Sequence, residues 1–468
     1  MKTESSRYLY RISKAKPPAT LRGILRERVG CILTLTLLGG CASYGVVENQ
    51  AITRLEAGQG YSLLSYAQER APSDIKVFLT FSGGGTRAAA MAYGVLRELR
   101  DTQVAIEGRT TRLLDKVDQI SSVSGGSFTA AYYGLHGDGL FQSFEEEFLR
   151  FDLEKHLVWR LFNPVRWFSS KGRTEMAVQY YQKFLFHNAT FADMQHPGQP
   201  LIIINASDLA FGVRFSFLQE YFNLLCSDLA SFPVARAVAA SSAVPVMFNP
   251  IVVENHPGCG DDEEPAWLLN ARERSRDDAE LDMLASGLAS YRDKETRKYI
   301  HLVDGGITDN MGLRTMYDVI EMAGGAEAFL QRTNQTPPRR VVIISVNAAT
   351  DPVIEMDKST RQPSILEALD ALSSVQIRRY NAATLALVKS KLDDWSQQVS
   401  TPERPVTPYL IQIGFKDVVQ PQLRLFFNKI PTNFSLTDEQ VDRLIETAGE
   451  LLRNNPDFQQ LLSDIKPP

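Results

Sequence analysis

The sequence feature most able to do chemistry is a serine at a predicted strand-to-helix turn. Ser124 lies in the stretch Ser122-Val123-Ser124-Gly125-Gly126. Such a turn forces its middle residue into a strained backbone conformation and exposes the hydroxyl as a nucleophile. Gly125 and Gly126 leave room for a substrate carbonyl, and the following helix places its positive end beneath a developing oxyanion. The alternative interpretation is an ordinary Ser/Gly turn.

A second glycine-rich turn lies upstream, at Gly83, Gly84 and Gly85. It offers no nucleophile, but its unencumbered backbone N–H groups could hold an oxyanion or a phosphate. With Ala88 it also matches the dinucleotide-binding pattern G-x-G-x-x-A. However, the second predicted strand ends in Ser-Gly-Gly instead of the carboxylate that binds a ribose. Nucleotide binding is therefore the weaker alternative.

A serine nucleophile also needs a base, and none of the six histidines lies in a recognisable triad context. Asp304 is the better candidate, because it ends a predicted strand and is followed by Gly305 and Gly306. A carboxylate with such an open approach can accept the serine proton directly. The alternative is a structural Asp-Gly-Gly turn.

These sites are positioned by a repeated unit of strand, glycine turn and helix. Strands are predicted at Ile75–Phe81 and Val117–Val123, and apolar spacing predicts a helix over 87–99. Further strands are predicted at 201–205, 299–303, 340–346 and 409–413, with long helices at 366–392 and 437–454. The alternation predicts an α/β fold with three layers, α/β/α, around a mainly parallel central sheet.

Taken in order, these stretches resemble the motifs of the patatin-like phospholipase family. That family has a G-G-G-x-R or G-x-G-x-x-G loop, a G-x-S-x-G elbow and a D-G-[GA] element, which correspond to 83–87, 122–126 and 304–306. Residues 239–250 are similar to its A-S-x-A-x-P segment. One departure is Ser122, which stands where the elbow has its first glycine.

The resemblance implies a serine acyl hydrolase that cleaves esters of phospholipids or related lipids without a cofactor. Ser124 would attack the carbonyl, Asp304 would act as base and then as acid, and the amides of 83–85 would hold the oxyanion. Arg87 would brace the glycine loop or meet a phosphate headgroup, and we favour bracing. Two alternatives are an acyltransferase with the same dyad and a non-catalytic lipid- or nucleotide-binding lipoprotein.

The N-terminal 41 residues are typical of a secretory signal. A basic leader precedes the apolar run 29–38, which is about half the length of a membrane span. The run ends in Leu-Gly-Gly-Cys41, which resembles the lipobox of bacterial lipoproteins. We expect lipidation of Cys41 and, because Ala42 replaces an inner-membrane retention Asp, an outer-membrane location facing the periplasm. The alternative is a buried or interfacial segment.

The remaining chain is predicted to contain a polar tether over 42–74 and the hydrolase domain over 75–468. Two insertions are expected in that domain, near 157–170 and 258–298. In the first, Trp159, Phe162, Trp167 and Phe168 could form an interfacial patch or a pocket wall. Outside the N-terminal region, Cys226 and Cys259 could be bonded in an oxidising compartment or remain two unpaired buried thiols.

Composition limits the partners. The charge of −5 and the pI near 5.8 provide no basic field for nucleic acid. A hydrophobic content of 44% with 22% charged residues excludes a chain disordered throughout. No metal site is predicted, because no ligand cluster has recognisable spacing. The expected partners are a lipid substrate and the membrane, and the sequence leaves the oligomeric state open.

Overall fold

The computed structural model describes residues 45–55, 60–106, 108–152, 173–245, 247–259, 264–351 and 356–465. The predicted signal with Cys41 lies outside the described residues, as do the aromatic insertion residues Trp159, Phe162, Trp167 and Phe168. These described residues form one compact unit. No helix within the described residues combines the length and the apolar character needed to cross a membrane.

The described part of the chain contains twelve strands: β1 Gln50–Ala51, β2 Ile75–Phe81, β3 Gln103–Ile106, β4 Arg109–Arg112, β5 Val117–Val123, β6 Leu201–Asp208, β7 Val213–Ser216, β8 Ser227–Asp228, β9 Ile251–Glu254, β10 Tyr299–Asp304, β11 Arg340–Asn347 and β12 Thr407–Gly414. Eight of them form the central sheet, in the order β12-β11-β2-β5-β6-β10-β9 with β7 paired to β6. The strands from β12 to β6 are parallel, whereas β7, β9 and β10 are antiparallel additions.

The same residues contain sixteen α-helices: α1 Leu63–Glu69, α2 Thr86–Asp101, α3 Gly125–His136, α4 Leu140–Phe144, α5 Arg173–Tyr180, α6 Gln219–Leu224, α7 Val234–Ser241, α8 Ala266–Arg274, α9 Ala279–Ala289, α10 Gly306–Asp309, α11 Arg314–Met322, α12 Ala326–Thr333, α13 Ile365–Val399, α14 Pro421–Asn428, α15 Asp438–Arg453 and α16 Pro456–Ile465. Helix α2 packs against α3 and α15, and α13 packs against α10, α11 and α12.

The two faces of the sheet are covered by different helices. Successive residues of a strand point to opposite faces. Val77 and Leu79 of β2 belong to the large hydrophobic cluster that includes residues of α2, α3 and α15. Between them in sequence, Phe78 packs against a second cluster, which contains Ile343 of β11 and Trp395 of α13. The predicted three-layer α/β/α fold with a mainly parallel sheet is therefore confirmed.

The prediction of a tether over 42–74 is wrong for the described residues of that segment. Strand β1 pairs with β8, and the buried Asn49 donates from Nδ2 to Ser227 Oγ at 2.9 Å and to the Glu254 carbonyl at 2.8 Å. Tyr61 is 3% exposed and donates its hydroxyl to the Ile202 carbonyl at 3.0 Å. A few specific hydrogen bonds attach this segment to the folded domain. The overall polarity of the segment gives no sign of them.

The segment predicted to be the second insertion contains helices α8 and α9, which bury Leu268, Leu284 and Leu288. Cys259 lies at its start and is joined to Cys226, with the two Cα atoms 5.2 Å apart and a sequence separation of 33. In the chain-entropy model, closing a loop of that length raises the free energy of the unfolded state by about 3 to 4 kcal/mol. The bond therefore fixes the insertion to the end of α6.

Candidate active site

Ser124 lies in a strained turn between β5 and α3. Its φ of 49° and ψ of −120° fall in a region that side chains other than glycine rarely occupy. Ser122, which replaces the usual glycine of the elbow, is fully buried and donates its hydroxyl to the Ile203 carbonyl on the neighbouring strand at 3.1 Å. The serine is thus accommodated within the sheet, and the strained conformation at Ser124 is kept.

The strand register brings Asp304 to Ser124 across β6. In the parallel pair of β5 and β6, Val123 lies opposite Asn205. In the antiparallel pair of β10 and β6, Asp304 lies opposite Ala206. The last residues of β5 and β10 therefore lie on the two sides of β6, opposite adjacent residues of that strand. This holds although β5 and β10 run in opposite directions.

The two side chains meet in a direct hydrogen bond. Ser124 Oγ donates to Asp304 Oδ2 at 2.8 Å, and the Gly306 N–H donates to Asp304 Oδ1 at 2.7 Å. Asp304 is 8% exposed, and burial raises its pKa to about 6, while the bonds from Gly306 and Ser124 limit that rise. The carboxylate is therefore ionised near neutral pH but more basic than an exposed aspartate.

Ser241 at the end of α7 holds the elbow in place. Its hydroxyl accepts the Ser124 N–H at 2.8 Å and donates to the Asn205 carbonyl at 2.6 Å. The Gly305 N–H bonds to the Ser241 carbonyl at 3.0 Å, which ties the aspartate turn to the same residue. Because Ser241 occupies the Ser124 amide, that amide is not free to hold an oxyanion.

The glycine loop after β2 lies beside the nucleophile. A side chain at Gly83 would place its Cβ 3.3 Å from Ser124 Cβ. The Gly83 N–H is bonded to the Asn310 carbonyl at 3.0 Å. Gly84 and Gly85 have φ values of 140° and 61°, and their amides have no acceptor among the described residues. Only these two of the three predicted donors are thus open to a ligand.

Comparison with known proteins identifies the family. A family model described as patatin-like phospholipase matches residues 79–317. The chain belongs to the patatin-like phospholipase family. This membership supports lipid ester hydrolase activity and agrees with the resemblance of the sequence motifs. No curated protein matches the chain.

The solved structures that are similar to this patatin-like chain include two of a human phospholipase A2. Human GIVD cytosolic phospholipase A2 has 14% sequence identity and a TM-score of 0.42, covering 91% of this chain and 68% of that chain. The same human enzyme in complex with methyl gamma-linolenyl fluorophosphonate has 15% identity and a TM-score of 0.43, covering 91% of this chain and 66% of that chain.

Arg87 in this patatin-like domain follows the glycine loop directly and is held by contacts with distant parts of the chain. It is 3% exposed, and burial lowers its pKa to about 10. Its guanidinium donates to the Ala348 carbonyl at 3.0 Å, to Thr432 Oγ1 at 3.3 Å and to the Ile430 carbonyl. All three of its nitrogens thus have protein acceptors outside the glycine loop, and the bracing role favoured by the sequence analysis stays a prediction.

We expect Arg87→Met to reduce the free energy of unfolding by on the order of 3 kcal/mol, because the buried carbonyls of Ala348 and Ile430 lose their donors and the exposed Thr432 hydroxyl loses a partner. Urea unfolding measures this loss, and Arg97→Met on the partly exposed side of α2 is the matched control. A headgroup-binding arginine would behave differently: its loss would raise KM for phospholipid and leave the unfolding free energy unchanged.

Three residues outside the predicted set build this patatin-like site. Ser241 lies in the A-S-x-A-x-P segment, and Asn310 lies shortly after Asp304, so the motifs contained a signal for both. Asn433 had none: its carbonyl accepts the Thr86 N–H at 3.0 Å and would lie 2.3 Å from a Cβ at Gly85.

None of the five described histidines bonds to the dyad. The described residues also contain no group of three or more His, Cys, Asp or Glu that could hold a metal ion.

Proposed function

We propose that this protein is a serine acyl hydrolase that cleaves ester bonds of phospholipids or related lipids through Ser124 and Asp304. The observation that carries the proposal is the 2.8 Å bond from Ser124 Oγ to Asp304 Oδ2 at a strained elbow. A hydroxyl bonded to a basic carboxylate is the arrangement of an activated nucleophile. Membership in the patatin-like phospholipase family supports a lipid ester as the substrate.

The proposed reaction has two halves. Ser124 Oγ attacks the ester carbonyl while its proton passes to Asp304, and the amides of Gly84 and Gly85 stabilise the oxyanion. Asp304 then protonates the leaving alcohol, which leaves an acyl group on Ser124. In the second half, Asp304 takes a proton from water, the resulting hydroxyl attacks the acyl carbonyl, and the proton returns to Ser124 as the fatty acid leaves.

We also propose that the protein is lipid-anchored at Cys41 in a bacterial envelope, with the outer membrane as its location. The Leu-Gly-Gly-Cys sequence supports the anchor, and the bond between Cys226 and Cys259 supports an oxidising compartment. In bacteria expressing the full-length chain, metabolic labelling with an alkyne fatty acid should mark the protein and be lost in Cys41→Ser. Labelling that persists in Cys41→Ser would overturn the anchor.

The activity is tested with the purified full-length chain and vesicles of phosphatidylcholine, with emulsified triacylglycerol in parallel. We expect mass spectrometry to detect released fatty acid, and Ser124→Ala to release none. Adding an excess of a lipid alcohol separates hydrolysis from acyl transfer, because a transferase would form a new ester in place of free fatty acid. A non-catalytic protein would consume no ester and would bind the vesicles equally well with Ser124→Ala.

Because the pKa of Asp304 is raised, we expect the rate of ester hydrolysis to depend on pH near that value. A general base acts in its ionised form, so kcat/KM on a soluble ester should be flat above about pH 6 and fall about tenfold per pH unit below it, in line with the pKa of about 6. Asp309 is the control, since burial raises its pKa to about 7 but it bonds to the Arg314 amide instead of Ser124. Asp309→Asn should keep the inflection, and a profile without one between pH 5 and 7 would contradict the role of Asp304.

A further inference from the structure

A cavity lies at the opposite edge of the sheet from Ser124. Its volume is about 140 Å³, and it is lined by residues near the N-terminal ends of parallel strands, among them Lys76 of β2, Asp118 of β5 and Leu201 of β6. Ser124 follows the C-terminal end of β5, so the cavity is separate from the candidate active site. The proposed hydrolysis uses none of these residues.

The interior of the cavity is apolar. Phe78, Met316, Phe329 and Leu392 line it, and Trp395 of α13 forms part of the same wall. Leu392 and Trp395 are each 4% exposed, so this wall is well removed from solvent. An engineered protein cavity of roughly 150 Å³ with such a lining stays dry and binds benzene. The volume here therefore accommodates an apolar body of roughly six carbon atoms.

A charged trio with a net positive charge borders this apolar space. Arg70 and Lys76 both bond to Asp118 Oδ1, at 3.1 and 3.2 Å, and the Val77 amide donates to Oδ2 at 2.9 Å. Asp118 is the only carboxylate among the described lining residues, so two cations face one anion. The three side chains are 11 to 20% exposed, which places them nearer to solvent than the apolar wall.

Lys76 has spare hydrogen-bonding capacity at that end. Its ammonium group has three donors, and Asp118 is its one acceptor among the described residues. Arg70 is occupied, because its terminal nitrogens also donate to the carbonyls of Val117, Gly198 and Gln199. An anionic group that enters the cavity would therefore bind to Lys76.

A buried hydroxyl in the lining also lacks a partner. Ser396 is 4% exposed and lines the cavity, and its Oγ has no hydrogen-bond partner among the described residues. Buried polar atoms in folded proteins nearly always have a partner, which is either protein or water or ligand. This unpaired hydroxyl is a second observation, independent of the charges: the protein leaves this part of the lining open to a ligand or a water molecule.

We propose that the cavity binds a medium-chain fatty carboxylate, with the carboxylate on Lys76 and the acyl chain against Phe78, Leu392 and Trp395. The excess positive charge selects an anionic head, and the apolar volume selects a chain of about the length of octanoate. This inference goes beyond the proposed function and does not depend on it, because the site contains neither Ser124 nor Asp304.

The test uses the full-length chain with Ser124→Ala, so that turnover cannot interfere. Isothermal titration calorimetry measures the Kd of octanoate, of 1-octanol, which has the chain without the charge, and of acetate, which has the charge without the chain. We expect octanoate to bind at least tenfold more tightly than either. Equal affinity for octanoate and 1-octanol would overturn the proposal.

Variants locate the site. Lys76→Met should weaken octanoate binding about tenfold and leave 1-octanol unchanged, whereas Lys389→Met, at an exposed position on α13, should change neither. Ser396→Leu should fill the cavity and weaken both ligands, with a thermal melt to verify folding. Octanoate should also change the fluorescence of Trp395, and Trp395→Phe should remove that change while calorimetry still detects binding. Octanoate affinity that survives both Lys76→Met and Ser396→Leu would place the ligand elsewhere and refute the assignment.

Discussion

Replacing Ser124 with alanine should abolish labelling by a fluorophosphonate and reduce lipid-ester turnover by on the order of 10³-fold or more. The reason is geometric, because Ser124 Oγ is the hydroxyl that the strained elbow presents and that bonds to Asp304 Oδ2 at 2.8 Å. Activity-based labelling with mass spectrometry measures the result. Ser122→Ala is the matched control, since it removes a buried hydroxyl two residues away that bonds to the Ile203 carbonyl and does not touch the dyad.

Asp304→Asn should lower both the labelling rate and kcat by about 10²- to 10⁴-fold, the usual contribution of a positioned general base. The amide keeps the shape of the carboxylate but cannot take the serine proton. Because the two residues act as a unit, the double variant should be no less active than Ser124→Ala alone. Full labelling of Asp304→Asn would show that another group activates Ser124, and labelling of Ser124→Ala would exclude the elbow serine as the nucleophile.

Local sequence patterns predicted the elements that support the site. Strands β2 and β5 have the bounds predicted from their β-branched and apolar runs, because a glycine turn or a serine elbow stops each of them. The helices after them begin at Thr86 and Gly125, where the turns end. The order of the glycine loop, the elbow and the aspartate turn also indicated the family. Such features depend on residues that are neighbours in sequence, so a single amino-acid sequence is enough to predict them.

Features that depend on long-range contacts were not predictable in this way. The antiparallel course of β10, which brings Asp304 to Ser124, arises from pairing with β6 about 100 positions away in the chain. The bond of Gly83 to Asn310 leaves two of the three predicted oxyanion donors open, and no local pattern shows which backbone amide a distant carbonyl will occupy. The anchoring of Asn49 and Tyr61 is equally non-local, which explains why their segment was predicted as a tether.

The contact between the elbow and the glycine loop sets the proposed oxyanion site. A Cβ added at Gly125 would lie 2.0 Å from the Gly85 carbonyl oxygen and 2.7 Å from the Gly85 nitrogen. These are backbone atoms that cannot rotate away, so the loop or the elbow has to shift. The Gly85 amide, one of the two open donors, would move with it. Position 125 therefore requires glycine because two backbones approach each other closely there. This reason adds to the space that glycine leaves for a substrate.

We accordingly expect Gly125→Ala to lower kcat by about 10²- to 10³-fold, the typical effect of losing one oxyanion donor. Steady-state kinetics on a soluble ester give kcat and KM, and a thermal melt verifies folding. Gly139→Ala is the control, because its φ is −59° and the nearest atom to its new Cβ is His136 Cβ at 3.3 Å. A folded Gly125→Ala protein with unchanged kcat would mean that the Gly85 amide does not hold the oxyanion. The Gly84 amide and the N-terminus of α3 would then be the remaining candidate donors.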